Sequence, residues 1–355
     1  MKHVFLESHN IKNQFNGFGQ FNFHLIKGLY HADVEDFKMT IHAKDTNALK
    51  DQFGNYFDYK TYRSISRKPF FRIRKKYDVW HSLNQNIKIE PYHKIPYVLT
   101  VHDVNFISEV SKDLNHDTNK RFTEKLNRSS AITYISEFAK ASTHQYFNVP
   151  KVPEYVIYNG NPITTLLDLK NTKIKPVTDR PYLFFIGGLT QRKNVHTLVQ
   201  MLEHLPNYDL ILAGDTSDSY VNTTLAQAIS KTRTTNRVHM LGKINTEQKQ
   251  YYLQNCSAFV FPSLLEGFGI PPIEAMRFGK PVFLSNLTSL PEIGGDQAFY
   301  WANFDPKAMS EVFIKGMTSF ESNKTNYSKA SIKRALSFDW NTSAQQYADV
   351  YRSLL

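Results

Sequence analysis

The stretch FPSLLEGFGIPPIEAMRFGKP, Phe261 to Pro281, decides the fold. Just before and into it, Ala258 to Phe261 is a short apolar run with the character of a buried strand. Pro262 and Ser263 end that run, and Gly267 and Gly269 let the backbone turn. Pro271 and Pro272 start a helix that Gly279 ends. Strand, glycine loop and helix N-terminus in this order leave unpaired N–H groups and a partial positive charge at the loop, which suits a phosphate or another anion. Glu266 and Glu274 flank the loop, so both carboxylates can face one pocket. Each also has a purely structural reading. Glu274 complements the helix dipole, worth about 0.3–1 kcal/mol, and Glu266 is a solvated loop charge.

The same order recurs upstream. Tyr182 to Ile186 runs into Gly187-Gly188, Asp209 to Ala213 into Gly214-Asp215, and Val238 to Leu241 into Gly242. Repeated strand and helix units predict a parallel sheet with crossovers. In the first half, His3 to Leu6 precedes Asn16-Gly17-Phe18-Gly19 and a helical pattern through Phe21, Leu25 and Leu29. Asp78 to Leu83, Pro96 to Val101, Ala131 to Ile135 and Val156 to Tyr158 read as further strands, as does Val282 to Leu284 in the second half. At 355 residues two cores are expected. The polar segment Asp168 to Arg180 divides them into 1–168 and 169–338.

Pro96 to Val101 runs straight into His102-Asp103, placing both at the carboxyl end of a strand, where open α/β sheets hold ligands. The alternative is a histidine hydrogen-bonded to a neighbouring loop. Gln191-Arg192-Lys193-Asn194 puts two adjacent cations at a helix start, where they oppose the dipole; a bound anion would remove the conflict.

A net charge of +11 asks for an anionic partner. Lys60 to Lys76 carries eight basic residues and no acidic one, including Arg67, Lys68, Arg72, Arg74, Lys75 and Lys76, with Phe70 and Phe71 among them. Cations beside aromatics suit an anionic bilayer surface. The same composition suits nucleic acid or a solvated loop. No apolar run nears the roughly 20 residues of a membrane helix, and the short apolar part of the N-terminus reads as a strand, not a signal. The single cysteine, Cys256, reads as core filling in a protein of the reducing cytosol.

Glu266-Gly-Phe-Gly-Ile-Pro-Pro-Ile-Glu274-Ala-Met, followed by Gly279-Lys-Pro-Val, resembles the paired-glutamate signature of the family 4 retaining glycosyltransferases. The resemblance implies an α/β, GT-B architecture: two Rossmann-like domains whose parallel sheets face an interdomain cleft, the first binding acceptor and the second the nucleotide-sugar donor. A closing helix, 339–355, returns to the first domain. It further implies that Gly17 and Gly19 lie near the donor diphosphate and that His102 reaches donor sugar and phosphate. Asp103 would orient His102 or meet the acceptor hydroxyl. Arg192 and Lys193 would bind the phosphates, with Gly187 and the amides of Phe268, Gly269 and Ile270 at the donor. The loop of Gly242 and Lys243 would lie near the base, Glu266 at sugar hydroxyls and Glu274 at the ribose.

No Asp-x-Asp triplet and no His/Cys cluster with metal spacing occurs. No metal or other cofactor is therefore expected, the Arg-Lys pair standing in for a divalent cation. The resemblance points to a hexosyltransferase using GDP-mannose, with UDP-hexoses open, and to a saccharide or lipid-linked oligosaccharide acceptor in surface polysaccharide synthesis. It favours membrane contact by the basic stretch over nucleic acid, at the cytoplasmic face of the cell membrane. A GT-B sugar-nucleotide epimerase and a non-catalytic nucleotide-sugar-binding subunit are the competing readings. Oligomeric state is not legible.

Overall fold

The computed structural model of the chain describes residues 1–14, 16–170 and 172–355. Packing divides the chain into two units, Met1–Pro162 with Asp339–Leu355, and Ile163–Phe338.

The first unit is built on seven strands: β1 (Lys2–Glu7), β2 (Phe37–Ala43), β3 (Asp58–Thr61), β4 (Val79–Ser82), β5 (Tyr97–Val101), β6 (Ala131–Tyr134) and β7 (Glu154–Val156). They pair in parallel in the order β3-β2-β1-β4-β5-β6-β7. The order reverses between β1 and β4. At such a switch point the following loops part in opposite directions and leave a crevice at the carboxyl ends of the strands. The central strands are buried on both faces, as all-parallel sheets require. Phe5 stacks on Trp80 with centroids 4.0 Å apart.

The helix Gly17–His31 buries Phe21, Leu25 and Leu29, the period read from sequence. Its partner is the helix Trp340–Arg352, which belongs to this unit. Their backbones are so close that a Cβ at Gly28 would lie 2.7 Å from the Trp340 carbonyl oxygen. Tyr351 Oη lies 2.7 Å from Nδ1 of the buried His81, and Arg352 is paired with Asp36 at 2.8 Å.

The second unit has six parallel strands: β8 (Tyr182–Ile186), β9 (Asp209–Ala213), β10 (Val238–Gly242), β11 (Ala258–Phe261), β12 (Val282–Ser285) and β13 (Phe299–Trp301). Their order is β10-β9-β8-β11-β12-β13, with the switch point between β8 and β11. Cys256 is buried in this core.

Three strands have no counterpart in the sequence reading. β2 carries Thr40 and His42 on buried positions, so its hydrophobic run is broken. β3 lies in polar sequence at the sheet edge, and β13 is three residues long. β7 lies two residues earlier than expected. The division between units falls after Pro162 rather than at residue 168, because Ile163 is buried in the second core and Gln250 ties the following segment to it. Gln250 accepts from the Leu167 amide at 2.9 Å and donates to the Thr165 carbonyl at 3.1 Å. Of the polar segment Asp168 to Arg180, Asn171 lies outside the described residues.

Candidate functional site

Arg192, Lys193 and Glu266 collect at the switch point of the second sheet. In the second unit, the loop after β8 forms a 3-10 turn, Gln191–Lys193, closed by Asn194 at φ 57°. The loop after β11 runs alongside it. The Leu264 amide donates to the Arg192 carbonyl at 2.8 Å, and Arg192 Nη1 returns a bond to the Leu265 carbonyl at 2.8 Å. Between the two loops, Lys193 Nζ donates to Glu266 Oε1, and Arg192 Nη1 stands 3.8 Å from Glu266 Oε2. Lys193 Nζ also lies 4.8 Å over the Phe261 ring.

The Lys193 and Glu266 side chains are each only 11% exposed. Burial alone would raise the Glu266 carboxyl, but the nearby charges of Lys193 and Arg192 outweigh it and hold the group below the usual carboxylate range. Glu266 is therefore ionised at neutral pH. Glu266 supplies one negative charge against the two cations, so the cluster keeps a net positive charge.

Three strand ends in this sheet carry glycines side by side. A Cβ on Gly214 would sit 1.8 Å from the Gly187 carbonyl oxygen, so only glycine fits there. The Gly214 amide donates to the Gly242 carbonyl at 2.8 Å. Lys243 pairs with Asp215 at 2.8 Å; that bond, with donors from Ser217, draws Asp215 down to about 2.

The helix Ile270–Met276 begins after Gly269, whose φ is 111°. Ser289 Oγ lies within reach of the Glu266 and Phe268 carbonyls, at 3.1 and 2.8 Å, and fixes the loop. Glu274 is buried and takes a 2.5 Å bond from Lys249 Nζ, on the helix Thr246–Asn255. Each glutamate thus has its own lysine. Lys249 escaped the sequence reading because it belongs to no motif and lies a whole strand away from its partner.

In the first unit, His102 follows β5 and is buried. Its Nε2 is 2.9 Å from the Leu83 carbonyl, which can only accept, so Nε2 carries the proton. Burial lowers the ring to about 4, partly offset by the Leu83 bond, and the ring is neutral at pH 7. Nδ1 is then a lone-pair acceptor. The expected alternative, a histidine bonded to a neighbouring loop, is what Nε2 does, and it leaves Nδ1 available for a ligand. Phe18 and Phe21 meet the ring edge-on at 4.9 and 4.6 Å.

Gln85 clamps the segment from both sides. Its Oε1 accepts from the His102 amide at 3.1 Å and its Nε2 donates to the Asp103 carbonyl at 2.8 Å. The Asp103 side chain accepts from the Asn105 amide at 3.1 Å. Gln85, a single polar residue after a strand, carried no sequence signal.

Gly17 and Gly19 do not form a loop; they open the first turn of their helix, capped by Asn16, whose side chain accepts from the Gly19 amide at 2.8 Å. A Cβ on Gly19 would meet the Asn13 carbonyl oxygen at 1.8 Å, so the chain's own packing accounts for that glycine, whereas Gly17 has open space where its Cβ would be.

The basic stretch folds into two 3-10 turns, Ser64–Arg67 and Pro69–Phe71, with Phe70 81% and Phe71 50% exposed. Arg67, Arg74 and Lys75 lie over the rings of Tyr62, Tyr92 and Tyr77 at 5.7, 5.4 and 5.1 Å. Among the described residues no helix is long and apolar enough to cross a membrane.

Two family models match the chain: "Glycosyltransferase Family 4" over residues 50–163 and "Glycosyl transferases group 1" over 168–335. O-antigen chain mannosyltransferase B of Escherichia coli is 26% identical, covering 97% of this chain and 98% of its own. O-antigen chain mannosyltransferase RfbU of Salmonella typhimurium is 26% identical over 63% of each chain. Serotype-specific mannosyltransferase WbdA of Escherichia coli is 24% identical over 78% of this chain and 36% of that longer one.

Among solved structures, sucrose-phosphate synthase from Thermosynechococcus elongatus superposes with a TM-score of 0.77 at 16% identity, covering 100% of this chain and 99% of that one. Anabaena HepE in complex with UDP and glucose superposes at 0.70 and 19%, covering 99% and 100%. These likenesses give the fold, GT-B. With the two family models spanning most of its length, the chain belongs to the glycosyltransferases, a Family 4 region followed by a group 1 region.

Proposed function

We propose that this glycosyltransferase is a mannosyltransferase of O-antigen synthesis, moving mannose from GDP-mannose to a saccharide acceptor that is lipid-linked, with retention of configuration and without a metal. The observation that carries the reading is the likeness to O-antigen chain mannosyltransferase B across nearly the whole of both chains. The Lys193–Glu266–Arg192 cluster at the second switch point supports it chemically. Departure of a nucleoside diphosphate builds negative charge on the phosphates and positive charge on the sugar. Lys193 and Arg192 answer the first, and the ionised Glu266 meets the sugar. His102 Nδ1 accepts from a sugar hydroxyl. No protein nucleophile is assigned; the leaving phosphate takes the acceptor proton.

The test is transfer from GDP-[14C]mannose, with and without EDTA, and NMR of the product's anomeric centre. Equal rates with chelator and an α-linked product are expected. Preference for UDP-glucose over GDP-mannose by about tenfold in kcat/KM would overturn the donor assignment.

Glu274 is proposed to grip the donor ribose in ground and transition states alike. Glu274→Ala is then expected to raise the donor KM by about tenfold with kcat little changed. An unaltered KM would contradict that role.

The exposed Phe70 and Phe71 with their neighbouring cations are proposed to rest on an anionic bilayer, at the cytoplasmic face of the membrane. Each cation near the headgroups contributes about 1 kcal/mol. Replacing Lys68, Arg72, Arg74 and Lys76 by glutamine should weaken binding to phosphatidylglycerol vesicles by tenfold or more, roughly, and leave turnover on a water-soluble acceptor unchanged. Vesicle binding equal to the wild type would remove the membrane role.

A further inference from the structure

A second polar cluster, outside the residues given roles above, stands at the switch point of the first sheet. Glu7 ends β1 and is fully buried. Both its carboxylate oxygens lie 3.0 Å from His9 Nδ1, and Oε1 lies 2.9 Å from His42 Nδ1. Burial pushes the carboxyl up, but the bonds from the two imidazoles outweigh it and keep it ionised. A carboxylate has no proton to give, so both Nδ1 atoms are N–H donors. In its neutral form His9 therefore carries a bare lone pair at Nε2. The ring is held flat on Tyr62, with centroids 4.7 Å apart and planes 8° from parallel.

His9 lines a cavity of about 280 Å³ together with Phe18, Arg67, Asn84 and Lys88. Asn84 follows β4, on the other side of the switch point, and is 1% exposed. Its Oδ1 accepts from the Asn86 amide at 2.9 Å, which fixes the orientation of the amide, and its Nδ2 has no partner among the described residues. A buried donor left unpaired costs about 1–3 kcal/mol; an acceptor from outside the chain would remove that cost. One loop thus carries a lone pair, on His9, and the other a buried, unpaired donor, on Asn84. A sugar hydroxyl, which both donates and accepts, matches such a pair. Among the described residues, the charged side chains lining the cavity are cationic and no carboxylate lines it.

We propose that this cavity binds an anionic saccharide as the acceptor: His9 Nε2 accepts from one hydroxyl, Asn84 Nδ2 donates to a neighbouring sugar oxygen, Phe18 covers the apolar ring face, and Arg67 and Lys88 receive the negative charge. The assignment of the ligand as acceptor rests on the transfer reaction proposed above; the binding itself does not. The experiment is therefore calorimetric titration of the full chain with mannose 6-phosphate, methyl α-mannoside and inorganic pyrophosphate, with no nucleotide sugar present.

Mannose 6-phosphate is expected to bind about tenfold more tightly than the uncharged glycoside, because charge-assisted bonds are the stronger ones. His9→Phe and Asn84→Ala should each weaken both sugars about tenfold. Lys88→Gln, at an exposed position that leaves the core intact, should reduce the preference for the phosphate, and Arg67→Gln combined with Lys88→Gln should abolish it. Absence of saturable mannose 6-phosphate binding, or a protein carrying both Arg67→Gln and Lys88→Gln that keeps the preference, would overturn the site. Pyrophosphate binding as tightly as mannose 6-phosphate would overturn the saccharide assignment. Failure of GDP-mannose as donor would leave all of these results unaffected.

Discussion

Lys193→Ala is expected to slow transfer by about a hundredfold or more, the usual loss when one preorganised charge-stabilising donor is removed. It is also expected to cost stability. Lys193 and Glu266 are nearly buried and paired with one another. Deleting one member of such a pair leaves the other charge uncompensated, typically at about 3–5 kcal/mol. Arg192, at 3.8 Å from the same carboxylate, offsets part of that. The two effects separate experimentally: single-turnover rates are read at a temperature where the variant is shown to be folded by circular dichroism, and stability is read from urea denaturation. Lys193→Arg keeps the charge, yet must fit a wider, planar group over the Phe261 ring, so partial recovery of both quantities is expected. A turnover loss that vanishes on correction for the folded fraction would make Lys193 a structural residue only.

The cluster shows where sequence reasoning reaches and where it stops. The strands on either side of it, β8 and β11, are dense apolar runs ended by glycine or proline, and their limits coincide with the residues read from sequence. Arg192, Lys193 and Glu266 stand out because cations at a helix start and a carboxylate beside a glycine loop are unusual locally. What they do to each other was not legible: the pairing of Lys193 with Glu266 joins residues 73 positions apart, and no local pattern encodes it. Lys249, Gln85 and Asn84 were missed for a related reason. Each acts through bonds to residues distant in sequence, or through the lack of one, and as residue types in sequence they are ordinary. β2 was missed because its buried positions hold Thr40 and His42, the latter bonded to Glu7, so the polar cluster that defines the first switch point also hides the strand that carries it.

The first unit should lose stability as the pH falls from about 6.5 toward 4, well before its carboxylates protonate. His81 and His102 are both buried; burial, with the charge of His102 acting on His81, lowers His81 to about 3, and burial lowers His102 to about 4. In the unfolded chain each titrates near 6.5. Between these values the unfolded state binds more protons than the folded one, so stability rises with pH across this window and is complete above 6.5. One unit of separation is worth about 1.4 kcal/mol per group. The two rings are close enough to interact, so the combined loss on reaching pH 4 is on the order of a few kcal/mol. Burial shifts His3, in the same unit, in the same direction. Urea midpoints should therefore fall between pH 7 and pH 5 with an unchanged m-value, and His102→Asn should fall less steeply. Midpoints that stay level over that range would mean that the folded protein accepts both imidazolium ions. His102 would then carry protons on both nitrogens below about pH 6.5, and the lone pair at Nδ1 proposed to receive a donor hydroxyl would be lost over that range.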